Sequence, residues 1–159
     1  MSEIDRIRDQ FRRSLEGNAW HGPALDELLE KVTAAMASAK PVAGAHSIWE
    51  IVVHAAAWQS AALRMLQVQS VVLSQEEDWP PPAGSDDASW RRAVQQLRAT
   101  NSALDAAMAA LDDARLNDPV AARDYDVYFL LHGIIQHGLY HAGQIAILKK
   151  ALTPGPLPQ

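Results

Sequence analysis

Apolar residues recur at helical spacing along most of the chain. Ile4, Ile7, Phe11 and Leu15 share one face, the pattern of a helix over residues 2–16, and Glu16-Gly17-Asn18 supplies its stop. The stretch "AWHGPALDELLEKV" restarts a short helix, with Pro23 suited to a first turn, before Pro41 and Gly44 break the chain again. From about Ser47 to Leu73, Ser47, Ile51, His54, Trp58, Ala61 and Met65 fall on one stripe at about 100° per residue. "SQEEDWPPPAGSDD" follows, and its consecutive prolines forbid a helix there. A third helix, capped by Ser85 or Asp86, buries Trp90, Val94, Leu97, Leu104, Met108 and Leu111 and runs on to Asn117-Asp118-Pro119. Asp124 caps a fourth, from about Tyr125 to Leu152. Residues 153–159, "TPGPLPQ", read as a flexible tail.

No alternating strand pattern and no internal repeat occurs. The expectation is an all-α chain, one domain over residues 1–152, in which four long helices and a short extra helix near the N-terminus form a four-helix bundle. Residues 74–85 exceed the two to eight that usually join antiparallel neighbours. A connection of that length can carry the third helix round to run parallel to the second.

Composition narrows the partners. The chain has 159 residues, 48% apolar and 21% charged, with a formal net charge of −5. No dense basic cluster occurs, the only basic pairs being Arg12-Arg13, Arg91-Arg92 and Lys149-Lys150, so a nucleic-acid partner, which needs a basic face against its phosphates, is not expected. There is no cysteine, which removes disulfides, thiolate nucleophiles and cysteine-ligated zinc together. The charged start "MSEIDRIRDQFRR" lacks the apolar region of a signal peptide. No apolar run of about eighteen residues occurs, so no membrane span is expected, and a cytoplasmic location fits.

Candidate chemistry lies in "IIQHGLYHAGQIAIL", residues 134–148. At about 100° per residue, His137, His141, Leu130, Ile134, Gln144 and Leu148 lie within about 80° of one another, facing the core, whereas His132 lies about 140° away. Histidines four apart on a helix bring two ring nitrogens within reach of one metal ion. His54, central on the second helix's stripe, is the third candidate. Three neutral imidazoles leave a coordination position open for water or a guest, the arrangement of a catalytic rather than a closed structural site. The competing reading is three core histidines that have found ordinary partners. Gly138 follows His137 where the familiar zinc proteases place a glutamate base, which sets that reaction aside.

"AWHGPAL", "HSIWEIVVHAAAW" and "QHGLYHAGQIAIL" together resemble the DinB / YfiT-like superfamily of metal-dependent enzymes, in order and over essentially the whole chain. The resemblance implies a four-helix bundle with an up-down-down-up path, metal ligands at His54, His137 and His141, and a homodimer. It also implies chemistry with low-molecular-weight thiols. With no protein cysteine, that thiol would come from a small cofactor.

Around these residues, Glu50 is a candidate acceptor for an imidazole or a general base, or else a glutamate at the edge of the stripe. Gln144 is a candidate donor to a ligand or an amide at the core's edge. Trp58 would wall the site. Trp20 and His21 precede Pro23 in a loop that could cover the mouth of the bundle, with Trp20 alternatively plugging the end of the core. His46 needs only a capping or surface role. The expected function is a divalent-metal enzyme acting on a small molecule, either a hydrolase or a thiol transferase, holding zinc or nickel, with iron also compatible with imidazole ligands. The alternative is a non-catalytic metal- or ligand-binding bundle, of the kind used in stress responses.

Overall fold

A computed structural model describes residues 1–153, and every regular element among them is helical. In chain order these are α1 (Glu3–Glu16), α2 (Leu25–Leu29), α3 (Ala34–Ser38), α4 (Ile48–Leu66), α5 (Gln75–Asp78), α6 (Asp87–Ala109) and α7 (Val127–Leu152), with a 3-10 turn at Asp113–Asn117 between the last two. Four of the helices are long: α1, α4, α6 and α7. The expected tail, apart from Thr153, lies outside the described residues.

Local chemistry explains most of the boundaries. Ser2, Ser47 and Ser74 each accept a backbone N–H three residues on, while Asp5, Glu50 and Glu77 return to the capping residue's own N–H. Each pair satisfies two of the donors that a helix start leaves orphaned. Asp86 caps α6 through Ser89 N.

The structure departs from the sequence reading at several points, the first being α5 itself, a helix inside the stretch whose prolines were expected to forbid one. Where one short extra helix was expected near the N-terminus, there are two, α2 and α3, separated by Lys31 at φ +60°. Pro23 lies just ahead of α2 rather than in its first turn. The second long helix stops at Leu66 instead of Leu73. Val68 turns to φ +62°, and Val71 is buried outside any helix, its carbonyl accepting from Arg123 Nη2 at 2.9 Å. The third long helix stops at Ala109, because Asp113 is needed elsewhere: its carboxylate receives the Glu3 and Ile4 amides at 2.9 Å each, capping α1 from across the fold. Finally, Asp126 rather than Asp124 caps α7. The segment before it is pinned by Val120 N to Tyr125 O and by Val127 N to Asp118 O, both at 3.0 Å.

Each long helix packs on two others: α1 on α6 and α7, and α4 on α6 and α7. Between them Phe11, Ile51, Leu97, Leu104, Met108, Leu131 and Ile145 are almost wholly buried. Trp49 meets Trp90 edge-on, centroids 5.5 Å apart, each in the first turn of its helix. The N-terminal ends of α4 and α6 therefore sit together. Asp105 on α6 ties α1 down by receiving Arg8 at 3.1 Å and Arg12 at 2.7 Å. No helix among the described residues is long and apolar enough to cross a membrane.

A candidate metal centre

α4 and α7 place the three histidines. His54 lies on the stripe that α4 turns inward, flanked by buried Ile51 and Ala55, and is itself 4% exposed. His141 is equally buried, while His137, one turn earlier on α7, is only partly so. Their rings converge. His137 Nε2 lies 3.0 Å from His54 Nε2 and 3.1 Å from His141 Nε2, and one ligand atom from each residue falls within 4.8 Å of the others.

The outer nitrogens show which tautomers are present. His54 Nδ1 lies 2.6 Å from the Asp78 carbonyl oxygen, which can only accept, so Nδ1 carries the hydrogen. His141 Nδ1 lies 2.7 Å from Gln144 Oε1 and donates to it in the same way. In neutral rings the Nε2 atoms of His54 and His141 are then bare lone pairs. His137 Nε2 can offer one hydrogen at most, to one of them. At least one pair of facing nitrogens is therefore left without a proton between them. A cation at the point of convergence satisfies all three.

Electrostatics keep the rings neutral. Burial, then the neighbouring His141 and His54, push His137 from its ordinary 6.5 down to about 4. Burial also lowers His54, against a partial lift from the Asp78 carbonyl and carboxylate, and lowers His141 against the Gln144 hydrogen bond. Taking a cationic ring out of water costs more than taking out a neutral one, and neutral imidazole is the form that binds metal.

A family profile described as the DinB superfamily matches residues 18–145. The chain belongs to the DinB superfamily. No match was found among curated proteins or among solved structures. Membership agrees with the three clustered histidines, because metal binding is what the superfamily is known for.

The other residues singled out in the sequence of this DinB chain divide sharply. Gln144 touches the centre, through His141. Trp58 flanks it, its ring centroid 5.9 Å from that of His137. Glu50 does not reach His54. Its carboxylate takes the Ser47 amide at 2.7 Å and Lys40 Nζ at 2.9 Å, and lies 3.5 Å from His46 Nδ1, so it serves as a helix cap and not as an imidazole acceptor. Trp20 is fully exposed and plugs nothing. With His21 it lines a groove against Ile135 and Leu139, which lie on the side of α7 turned away from His137.

Two contributors were missed. Asp78 ends α5 and holds His54 through its carbonyl, while its carboxylate accepts Trp58 Nε1 at 2.6 Å and lies 3.3 Å from His54 Nδ1. Trp79 stacks on His54, centroids 3.8 Å apart at 8°, and on its other face stacks on His46 at 3.6 Å and 10°. A Ser-x-x-Glu capping box directly before Asp78-Trp79 was the available signal, masked by the prolines that follow.

Proposed function

We propose that His54, His137 and His141 hold one divalent metal ion, zinc or nickel in preference to iron, and that this DinB chain is a metal-dependent enzyme acting on a small molecule. The observation that carries the reading is the meeting of three Nε2 atoms, two of them bare because their rings donate outward to Asp78 and Gln144. The packing pairs of the long helices, with the starts of α4 and α6 side by side, support an up-down-down-up four-helix bundle as the frame. Homodimerisation and a cytoplasmic location belong to the same reading.

A bound divalent ion would supply Lewis acidity, lowering the pKa of a water or thiol placed against it. The chain's own residues do the rest. The Asp78 carbonyl and Gln144 fix ring orientation and tautomer, and such outer partners commonly account for 10–100-fold in metal affinity or activity. Trp58 and Trp79 exclude water from two sides. The Asp78 carboxylate lies on the Nδ1 side of His54, away from the converging nitrogens, so it steadies the ring rather than receiving a proton from a guest.

Between the two reaction types, Glu50 decides the preference. Hydrolysis is helped by a carboxylate base beside the bound water, and the glutamate that the sequence offered is engaged by Ser47 and Lys40 instead. A thiol is more acidic than water and a bound ion would lower its pKa further, so its proton could pass to solvent without such a base. Transfer of a low-molecular-weight thiol to an electrophile is therefore the favoured activity, with hydrolysis second. The alternative, a non-catalytic metal- or ligand-binding bundle serving a stress response, is favoured by one observation: Trp79 covers the buried face of the centre.

Chain loaded separately with Zn²⁺ and Ni²⁺ and given glutathione, mycothiol or bacillithiol with 1-chloro-2,4-dinitrobenzene separates these readings. Metal-dependent release of chloride above the rate of the His137→Ala variant supports the enzyme. Turnover of a p-nitrophenyl ester alone supports the hydrolase. Tight metal binding with neither activity supports the binding protein.

A further inference from the structure

The three histidines are not reached through the helices that carry them. Two of them, His54 and His141, lie against Trp79 of the segment from Ser74 to Ala83, and how that segment is held suggests a second role for it. α5 buries none of its own residues, and among the helices it packs chiefly on α4. What keeps it in place is concentrated at two residues. Asp78 grips His54 and Trp58, and Trp79 is wedged flat between His46 and His54. The segment rejoins α6 through Gly84 at φ +102°, and on the α4 side it begins just after Val71, which is buried and held by Arg123. A surface element with few buried contacts and a small number of polar ties opens at low free energy. The same two residues that tie it down are those that orient and cover the His54 imidazole.

We infer that the Ser74–Ala83 strap is the gate of the three-histidine centre, latched by Asp78 on Trp58 and by Trp79 between His46 and His54. The inference rests on the metal reading above. In the closed strap, Trp79 lies over His54 and, edge-on with centroids 6.1 Å apart, against His141. Only the His137 side is left partly open. Exchange of an ion, or admission of a guest bulkier than water, requires the strap to swing out. The strap thus sets the rate of exchange at the centre, while the three rings set the affinity.

The full chain loaded with Co²⁺, followed by its visible absorption, separates rate from affinity. Release into excess chelator and uptake by the metal-free chain are timed for the wild type and for Trp79→Ala, Asp78→Ala and Trp58→Phe. Asp78→Ala keeps the main-chain carbonyl on His54 and removes only the carboxylate latch. The expected result is that release and uptake both accelerate, at least tenfold in Trp79→Ala and less in the two latch variants, with the dissociation constant changed less than threefold. Faster release with unchanged uptake would mean that these residues only strengthen the ligands, and would overturn the gate. Equal rates in all four proteins would overturn it alone, because wild-type binding would still stand. A wild-type chain that takes up no Co²⁺ would overturn the metal reading together with the gate.

Discussion

His54 is held from two sides by different kinds of structure. On one side is the helical frame, α4 against α7, whose geometry follows from periodicity and whose residues are buried over many turns. On the other is the strap, whose hold depends on Asp78, Trp79 and the side chains they meet. The frame determines where the ligand nitrogens are; the strap determines which tautomer one of them adopts and what can approach it. Stability should therefore be sensitive to the frame and nearly indifferent to the strap, and the properties of the centre should show the reverse.

The largest effect belongs to the frame. Leu131 on α7 is fully buried, and truncating a buried leucine costs about 2–5 kcal/mol. Leu131→Ala should lower the denaturation free energy by that amount, read from denaturant midpoints, while Trp79→Ala should cost less than half as much. Equal losses would erase the distinction between frame and strap.

Next comes the outer partner on the frame's own side. Gln144→Ala releases the His141 ring and should weaken metal binding by about 10–100-fold with little change in the stability of the metal-free chain. Calorimetric titration checks the first part and thermal unfolding the second.

Acid should expose the frame's neutral histidines. With His137 held near 4 against 6.5 in the unfolded chain, the unfolded state binds more protons than the folded state between those values, so stability falls with falling pH in that window. The metal-free chain should lose stability from about pH 6.5 toward 4, and His137→Gln should flatten that slope. An unchanged slope would show that the ring is not held neutral.

The smallest effect sharpens the boundary of the site. Glu50→Ala removes half of the α4 capping box and should cost about 1 kcal/mol, leaving metal affinity unchanged. A drop in affinity would return Glu50 to the centre.

The frame was legible in the sequence because helical burial is periodic. Ile51, His54 and Met65, or Leu130, Ile134 and His141, announce their faces by spacing alone, and two histidines four apart on such a face announce a shared point. Helix ends were less legible. "VQSVVL" carries four apolar residues past Leu66, yet Val71 is buried outside any helix, so hydrophobicity there reports burial and not helix. The strap was illegible for a related reason. Asp78 and Trp79 act on residues 20 and more positions away through one carbonyl, one carboxylate and two ring faces, and no local period encodes such contacts. Glu50 misled for the opposite reason: its place one turn before His54 suggested the ring, but the nearer Ser47 amide and Lys40 claim its carboxylate.

Titration of the metal-free full chain with Zn²⁺ in a calorimeter, beside His54→Ala, His137→Ala and His141→Ala, tests the centre most directly. The predicted result is one ion per wild-type chain, with each single variant losing more affinity than the Gln144→Ala variant does. Wild-type binding that survives unchanged in all three variants, or no binding at all, would contradict it.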